Sequence, residues 1–269
     1  NNSDYVFLDI WDHGAGWGGT AYSGNAVAWD DTPTAGNDAL TIKEIQDAIA
    51  GSYTSVPGKK VTIIGFDACY MGTIENAYSF KDYASIMVGS EEVEPGAGWA
   101  YDKWLPYGKV SPRAVATNLV TSYRDFYAGS GDQVTLAAYD LSKISGVSTA
   151  LESFLTKISA QPSAAISAAR LNAQGFNNDL SVDMYDFVDK MNMPESAALK
   201  NMLTSLNIAE THTTGGKVGG SHGTTVYFPQ SSSNYDSTYN NTLFAASTKW
   251  DEFVSGKLAS FAVSSTEPG

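Results

Sequence analysis

The stretch VTIIGFDACYMGTIENAY, residues 61–78, decides the fold of this chain. Its apolar run VTIIGF predicts a buried strand, of the kind that is covered on both faces of a sheet. The run MGTIENAYSF, residues 71–80, predicts a helix directly after it. Between the two stands Cys69, the only cysteine among 269 residues, two positions after Asp67. A strand that passes through a short turn into a helix is the repeating unit of an α/β fold.

The same alternation continues on both sides of this stretch. Ser111 and Pro112 suit the N-cap and the first turn of one further helix. Thr41 and Glu44 form a capping-box pattern at the start of another. Alternating strands and helices predict a mainly parallel sheet with helices on both faces. The apolar run at residues 5–11 also predicts a strand buried on both faces of the sheet, and further strands are predicted at residues 85–92 and 133–141.

The C-terminal part follows a different pattern. Residues 142–210 are predicted to be mostly helical, the run TTVYFP at residues 224–229 predicts a returning strand, and residues 247–261 predict an amphipathic helix. The chain therefore divides into an α/β core over residues 1–141 and a helical extension over residues 142–269.

Composition limits the classes of partner. The net charge of −13 disfavours binding to nucleic acid or anionic lipid and favours basic partners. No apolar run approaches the roughly 18–20 residues that a membrane span needs. A single cysteine forms no internal disulfide and excludes a multi-cysteine metal site. The abundance of Asn, Ser, Thr, Tyr and Gly, with few lysines, is typical of a secreted or cell-surface bacterial protein.

Two reactive side chains follow predicted strands. His13 comes after the strand at residues 5–11, and Cys69 follows the strand in the quoted stretch. Sites in open parallel sheets form beyond the carboxyl ends of the strands, so these groups would share a crevice if their strands are neighbours. A histidine can take the proton of a thiol nucleophile and give it to a leaving group. The backbone N–H groups of Gly14 and Cys69 suit a developing oxyanion. Spacing alone leaves a buried structural cysteine and a loop histidine equally open.

The segments around these residues closely resemble the two signature segments of the clostripain family of cysteine peptidases. They read LDIWDHGAGWGG at residues 8–19 and IGFDACYMGTIENAY at residues 64–78. Ala15 stands where the family pattern has glycine. The resemblance implies the caspase-like α/β fold that this family shares with gingipains, legumains and caspases. Weaker likenesses are AWDDT at residues 28–32, SEEVEPGAGWAYD at 90–102, DMYDFV at 183–188 and TTVYFP at 224–229.

The resemblance implies a cysteine endopeptidase that cleaves proteins or peptides after a basic residue, Arg or Lys. His13 matches the catalytic histidine, Cys69 the nucleophile, and Gly14 an oxyanion donor. Asp67 matches an acid of the S1 pocket, which holds the substrate side chain before the scissile bond (the P1 side chain). A buried carboxylate selects a cation because leaving it unpaired is costly, and bidentate geometry favours Arg over Lys.

Weaker candidates for the pocket lie in the next acidic segment. Ser90 and Glu91 end the third predicted strand on the same rim, and Asp102 follows in the next loop. Glu91, Glu92 and Glu94 are equally compatible with a solvated acidic loop.

The remaining aromatic and histidine candidates receive a structural interpretation or stay open. Trp17 and Trp99 would line the cleft or anchor their loops. His212 and His222 are interpreted as non-catalytic.

The sequence requires no cofactor and assigns no metal ligands. Asp30, Asp31 and Asp38 lie in a loop predicted over residues 20–39, and carboxylates are ligands that calcium prefers. They lack the spacing of an EF-hand. Since some members of the clostripain family use calcium, it remains a candidate ion.

The chain departs from the family in where its histidine segment lies. Family members carry about a hundred residues before this segment, within the normal size of a domain, whereas His13 lies near the start of the chain. A sheet without its first strands would expose an edge, which predicts a second chain or an upstream segment as partner. Residues 14–42 contain no Lys or Arg, so a basic-specific enzyme would not cut itself there. Activation would then occur upstream, with Asn1 as the new N-terminus.

Two alternatives remain open. One is a non-catalytic secreted binding or adhesion module on a peptidase-like fold, against which the pair His13 and Cys69 argues. The other is a peptidase of the same clan with specificity for Asn or Asp, against which the acid at Asp67 argues.

Overall fold

The computed structural model describes residues 5–17, 25–30, 32, 38–52, 59–106 and 111–264, with side chains to residue 258. Its strands are β1 Phe7–Trp11, β2 Ala26–Asp30, β3 Asp38–Thr41, β4 Val61–Asp67, β5 Ala84–Gly89, β6 Thr135–Asp140, β7 Gly175–Phe176, β8 Ser181–Asp183, β9 Asn207–His212 and β10 Thr225–Tyr227. Its α-helices are α1 Ile42–Ser52, α2 Ile74–Phe80, α3 Tyr101–Trp104, α4 Pro112–Tyr127, α5 Ile144–Ile158, α6 Ser163–Asn172, α7 Met184–Lys190, α8 Ser196–Leu206 and α9 Trp250–Ser264.

A five-stranded sheet of order β1-β4-β5-β6-β9 forms the centre of the molecule. β1, β4 and β5 pair in parallel, whereas β6 is antiparallel to both of its neighbours. Four of the five strands therefore point the same way, and the predicted mainly parallel sheet is confirmed. The exception is β6, which runs in the opposite direction although it follows a helix as the alternation predicts.

The connection between β5 and β6 explains this reversal. After β5 the chain crosses from the carboxyl end of the sheet towards its amino end, where the Trp104 ring packs on Phe7 with 4.9 Å between ring centroids. α4 therefore starts near the amino end of the sheet and returns to the carboxyl edge. The next strand can only run back down, which makes β6 antiparallel to β5.

Helices cover both faces of the sheet, as predicted. Alternate residues of β4 enter different cores because successive strand side chains point to opposite faces. Ile64 and Phe66 pack with α1, α2 and α5, whereas Ile63 packs with Leu119 and Tyr123 of α4.

β1 is the least covered strand of the sheet. Its residues are half-buried, and the Trp11 side chain at its end is 66% exposed. The prediction of a strand buried on both faces at residues 5–11 is wrong, because β1 is the edge strand and pairs with β4 alone in the described part of the chain. An open edge presents unpaired backbone groups to another strand.

Local signals predicted helix starts well in two cases and less well in a third. The Thr41 N–H donates to Glu44 Oε2 at 2.9 Å and Glu44 N–H donates to Thr41 Oγ1 at 3.2 Å, which confirms the capping box. Ser111 caps α4 as predicted. The helix predicted from residue 71 begins only at Ile74, because Thr73 is extended and accepts the cap bond from the Asn76 N–H.

The C-terminal part contains more strand than predicted. β9 joins the central sheet, and β7, β8 and β10 form a second sheet of order β10-β8-β7. β10 is the strand predicted at residues 224–229, and α9 is the predicted terminal helix. The division at residue 141 stays a prediction, but the fifth strand of the central sheet comes from beyond it. Within the described residues, no helix combines the length and apolarity that crossing a bilayer requires.

Candidate active site

The chain leaves β4 through a tight turn that presents Cys69. Tyr70, the next residue, has φ +60°, a left-handed conformation that is uncommon and costly for an aromatic residue. The neighbouring loop holds the turn in place: the Tyr70 N–H donates to the Glu92 carbonyl at 3.2 Å, and the Gly72 N–H donates to the Ser90 carbonyl at 2.7 Å. Cys69 therefore sits on a strained turn between strand and helix, where a functional side chain is often held.

The Cys69 thiol is half-buried and unoxidised. Its Sγ accepts the Glu94 N–H at 3.4 Å. Burial raises the pKa of the thiol above its usual value of 9.0, against the opposing effect of the Glu94, Cys69 and Gly14 backbone N–H groups. The Glu92 carboxylate raises it further. The resting thiol is therefore protonated near neutral pH and needs a base.

β1 and β4 bring His13 and Cys69 to the same edge of the sheet. Trp11 pairs with Asp67 in register, so His13 and Cys69, each two residues further on, leave the two strands side by side. The His13 side chain is exposed, and its ring stands edge-on to Trp29 with 6.1 Å between centroids. No described hydrogen bond joins its imidazole to Cys69, so the ring must turn towards the thiol to act on it.

The backbone after His13 is held between β2 and the turn that presents Cys69. The Ala28 N–H donates to the His13 carbonyl at 3.0 Å, and the Ala15 N–H donates to the Ala26 carbonyl at 3.2 Å. On the other side, a Cβ atom placed on Gly14 would lie 2.2 Å from the Cys69 carbonyl oxygen. Only glycine permits this approach, which puts the Gly14 N–H beside the thiol.

Asp67 lies beneath this edge, on the face that α4 covers. Its carboxylate is 2% exposed and Oδ2 accepts the Trp99 N–H at 2.9 Å and the Tyr101 hydroxyl at 2.7 Å. Gly98, with φ +62°, passes directly over it: a Cβ there would lie 2.6 Å from Asp67 Oδ2 and 3.1 Å from Trp11 Nε1. The exposed Trp11 ring thus stands next to the point where the chain comes closest to Asp67.

Two further carboxyl groups surround Asp67. The Tyr101 hydroxyl lies 2.7 Å from Asp9 Oδ2 as well as from Asp67 Oδ2, and one hydroxyl proton serves only one of them. Burial raises the pKa of Asp9 to about 6. Glu94 is 8% exposed, and its carboxyl group lies beside Asp67 and Trp99. Nothing in the sequence indicated a role for Asp9. A solvated loop at Glu94, one of the alternatives left open from sequence, is wrong because Glu94 is buried.

The three weaker pocket candidates have other partners. Ser90 is buried, and its hydroxyl donates to the Glu92 carbonyl and contacts Thr135 Oγ1. Glu91 points into the interior, where it accepts the Ser221 hydroxyl and, at 2.9 Å, the Gly223 N–H. Asp102 is exposed on α3 and pairs with Lys103. None of the described contacts brings Ser90, Glu91 or Asp102 to the Cys69 thiol or to the Asp67 carboxylate.

Glu91 belongs to a separate buried network. Burial, and then the charge of Asp183, raise its pKa well above the usual value. Asp183 also accepts the His222 N–H at 2.6 Å, and the His222 ring stacks on Tyr185 with 4.4 Å between centroids. Burial alone would lower the pKa of His222, but its hydrogen bond to Asp183 and the nearby carboxylates raise it overall.

The remaining candidates are accounted for by packing. Trp17 is buried against Tyr227 and Tyr239, and Trp99 is buried in the core on the α4 face. His212 lies 3.3 Å from Glu210 at the far edge of the sheet. Both tryptophans therefore serve the core or anchor loops, one of the two roles predicted.

The loop considered for calcium is only partly described. Asp31 and most of its neighbours lie outside the described residues, and β2 and β3 form a hairpin within the range predicted as loop. Asp30 accepts the Thr32 N–H at 2.9 Å. Among the residues that the structure describes, no three Asp, Glu, His or Cys side chains are grouped as a metal site requires.

The chain that places a histidine, a cysteine and a buried acid at one sheet edge matches a known family over nearly its whole sequence. The family model for the clostripain family of peptidases matches residues 1–257. The chain belongs to the clostripain family. It is 25% identical over 277 residues to clostripain from Hathewaya histolytica, which aligns with 81% of this chain and 51% of that protein. The chain thus spans about half the length of this relative.

Solved structures confirm the fold. A clostripain from Bacteroides thetaiotaomicron, in complex with the peptide inhibitor BTN-VLTK-AOMK, has a TM-score of 0.66 at 20% identity, over 81% of this chain and 97% of that one. A secreted C11 cysteine protease from the same species has a TM-score of 0.70 at 20% identity, over 92% and 73%. An inactive zymogen C11 protease from Parabacteroides distasonis has a TM-score of 0.67 at 18% identity, over 92% and 71%. The predicted caspase-like α/β fold is therefore correct.

Proposed function

We propose that this chain is a cysteine endopeptidase that cleaves peptide bonds after Arg or Lys. The observation that carries the proposal is the exit of His13 and Cys69 side by side from neighbouring strands, above a buried Asp67. Membership of the clostripain family supports the reaction class. The inhibitor of the related B. thetaiotaomicron structure has the peptide part VLTK, which ends in lysine and agrees with a basic P1 residue.

The reaction begins with proton transfer, because burial keeps the Cys69 thiol neutral. His13 turns towards Cys69 and takes its proton as the sulfur attacks the carbonyl carbon of the substrate. The resulting imidazolium gives this proton to the amine that leaves, and a thioester remains on Cys69. His13 then takes a proton from water, whose oxygen attacks the thioester. The carbon–sulfur bond breaks, the acid product leaves, and the proton returns from His13 to the Cys69 sulfur. Atoms and protons balance without any cofactor.

Backbone N–H groups stabilise the oxyanion that forms at each attack. The Gly14 and Cys69 N–H groups both lie beside the thiol, where the oxyanion on the carbon bonded to its sulfur forms. The loss of one such donor costs about 10²–10³ in kcat in enzymes of this kind. The close contact between Gly14 and the Cys69 carbonyl keeps the two donors at a constant distance from each other.

Substrate selection comes from the acid below the nucleophile. A P1 side chain that passes Trp11 and Gly98 meets Asp67, where a guanidinium or an ammonium compensates the buried charge. An acidic P1 side chain would face repulsion there, which makes specificity for Asp the weaker alternative.

The open edge of β1 supports a further part of the proposal, a second chain or an upstream segment as partner. β1 pairs only with β4 in the described residues, and Trp11 and Tyr5 at its ends are exposed. An added strand would satisfy the free backbone groups. We propose a secreted bacterial location on the basis of the composition and of the secreted relative.

A panel of matched fluorogenic peptides tests the function. The peptides differ only in a P1 residue of Arg, Lys, Asn or Asp, and each is measured with calcium and with a chelator. We expect turnover of the Arg or Lys peptide, and none by Cys69→Ala with its fold intact by circular dichroism. Turnover of the Asn or Asp peptide instead would refute the specificity. Activity that persists in Cys69→Ala would refute the nucleophile, and silence on every peptide would favour the binding-module alternative.

A further inference from the structure

Four buried carboxyl oxygens around the proposed S1 pocket lack a hydrogen-bond partner among the described residues. They are Asp9 Oδ1, Asp67 Oδ1 and both oxygens of Glu94. Tyr101 joins the first two carboxyl groups, and Glu94 lies beside the second. A buried carboxyl oxygen without a donor is costly, and several in one place indicate a site that receives a cationic or donor-rich ligand.

The protons of this cluster are unevenly distributed. Asp67 Oδ2 accepts the Trp99 backbone N–H and shares the Tyr101 hydroxyl with Asp9, so it has a firm hydrogen-bond donor. Among the described residues, Glu94 has only the Trp99 side chain nearby as a donor. Burial raises the pKa of Glu94 well above its usual value, and the adjacent Asp67 raises it further. Glu94 is therefore the protonated partner when the pocket is empty.

Among the residues that the structure describes, the titratable groups that face Glu94 come from several elements, and none of them is basic. Asp67 belongs to β4 and Cys69 to the turn after it, and the Trp99 side chain precedes α3. Tyr123 and Tyr127 reach the same region from α4, and the pKa of each is raised, by burial first and then by the Glu94 and Asp67 charges. The described residues thus supply no cation to this region, and a basic P1 side chain would supply one.

Glu94 also connects the pocket with the nucleophile. Its backbone N–H donates to the Cys69 Sγ at 3.4 Å, while its side chain lies beside Asp67. Gly98 adds no side chain of its own over Asp67, and its backbone passes directly above the carboxylate beside the Trp11 ring. A P1 side chain that enters over Gly98 thus reaches Asp67 and Glu94 together.

We propose that Glu94 is a second specificity-determining carboxyl group of the S1 pocket and that a basic P1 side chain displaces its proton to solvent. This inference rests on the proposed function. Asp67 and Glu94 then both carry charge, and their oxygens accept the N–H donors of the guanidinium or ammonium. A neutral P1 side chain leaves the proton on Glu94.

The test uses peptides that differ only at P1, with arginine or with citrulline, its neutral isostere. We expect Glu94→Gln to lower the Arg-to-citrulline ratio of kcat/KM by at least about tenfold, equivalent to roughly 1.4 kcal/mol. Turnover of the citrulline peptide should fall far less than turnover of the Arg peptide, whereas a general structural defect would lower both alike. Glu210→Gln, which neutralises a more accessible carboxylate on β9, is the matched control.

The same ratio, followed over pH, reports the displaced proton. Ionisation of His13 and Cys69 affects both peptides alike and cancels in the ratio. In the unmodified enzyme the ratio should rise with pH above the usual range of a glutamate, because burial raises the pKa of Glu94 and it ionises more readily at higher pH. In Glu94→Gln this rise should be reduced to what Asp9 contributes.

The outcomes separate this inference from the proposed function. An unmodified enzyme that does not prefer Arg or Lys overturns the proposed specificity itself. If the Arg-to-citrulline ratio and its pH dependence are the same in Glu94→Gln as in the unmodified enzyme, the role of Glu94 is overturned. The proposed specificity for Arg or Lys then still stands. If Glu94→Gln fails to fold, Glu94→Met answers the same question, because replacing a buried neutral carboxyl by an apolar group of similar size costs little.

Discussion

Gly14→Ala tests how closely the oxyanion donors are packed. The added Cβ would stand 2.2 Å from the Cys69 carbonyl oxygen, about 1.2 Å inside ordinary contact. It would also stand 3.0 Å from Met71 Cγ and 3.1 Å from Ala68 Cβ. The first of these contacts is with backbone, which no side-chain rotation relieves. Either the His13–Gly14 segment or the Cys69 turn must move.

The size of the effect follows from that displacement. A shift of about 1 Å in a reacting group costs on the order of 10²-fold in rate, and the loss of one oxyanion donor costs about 10²–10³-fold in kcat. Overpacking of this kind destabilises a protein by about 1–3 kcal/mol. We therefore expect Gly14→Ala to remain largely folded, with a lower melting temperature and kcat reduced by at least about 10²-fold.

The assay is steady-state hydrolysis of the Arg peptide, with KM and kcat determined separately and the fold checked by circular dichroism. Because the S1 pocket lies away from Gly14, KM should change far less than kcat. Gly51→Ala is the matched control: Gly51 lies in α1 with no atom within 4 Å of the added Cβ, so activity should not change. A folded Gly14→Ala enzyme with unchanged kcat would refute the placement of the oxyanion donors.

Three further predictions follow from the same site and its surroundings. Asp67→Asn should lower kcat/KM for Arg peptides by about 10²–10³-fold, since removing one partner of a buried charge pair costs about 2–5 kcal/mol; an equal loss on citrulline peptides would contradict a role in specificity. Alkylation of Cys69 by iodoacetamide should accelerate about tenfold per pH unit from roughly pH 6.5 to 8.5, because burial raises the pKa of the thiol. A rate that is already constant below neutral pH would instead indicate a preformed thiolate–imidazolium pair. Glu91 has a raised pKa in the folded state, so its contribution to stability is present at low pH and is lost as pH rises. Glu91→Gln should therefore flatten the fall of the melting temperature above about pH 5, without altering the Arg-to-citrulline ratio; an unflattened fall would argue against the buried network.

The meeting of His13 and Cys69 was predictable from sequence for a simple reason. Both residues directly follow apolar runs that predict strands, and the carboxyl ends of neighbouring parallel strands share one edge. What the sequence left open was whether the strands are neighbours, which the register of Trp11 with Asp67 now answers.

The direction of β6 was not predictable in the same way. Its apolar residues predict a buried strand, but they do not indicate whether that strand runs parallel or antiparallel to its neighbours. The deciding contact is that of Trp104 with Phe7, which joins residues almost a hundred positions apart. Pairing at such a distance in sequence depends on tertiary packing alone.

The burial of the acidic segment was also beyond local reasoning. A run with Glu91, Glu92 and Glu94 reads as solvated, because burying several carboxyl groups together is costly. The structure buries all three, each with a different environment: Asp183 for the first, Lys217 for the second and Asp67 for the third. Buried carboxyl groups with raised pKa values are found most often at functional sites.

Covalent labelling of the intact enzyme tests the central claim most directly. Two peptide acyloxymethyl ketones, with Arg or with Asp at P1, are each incubated with the enzyme, and the modified residue is located by peptide mass mapping. The account predicts one adduct, on Cys69, with the Arg reagent and almost none with the Asp reagent. It also predicts that Asp67→Asn slows labelling by the Arg reagent. Equal labelling by both reagents, or an adduct on any residue other than Cys69, would contradict it.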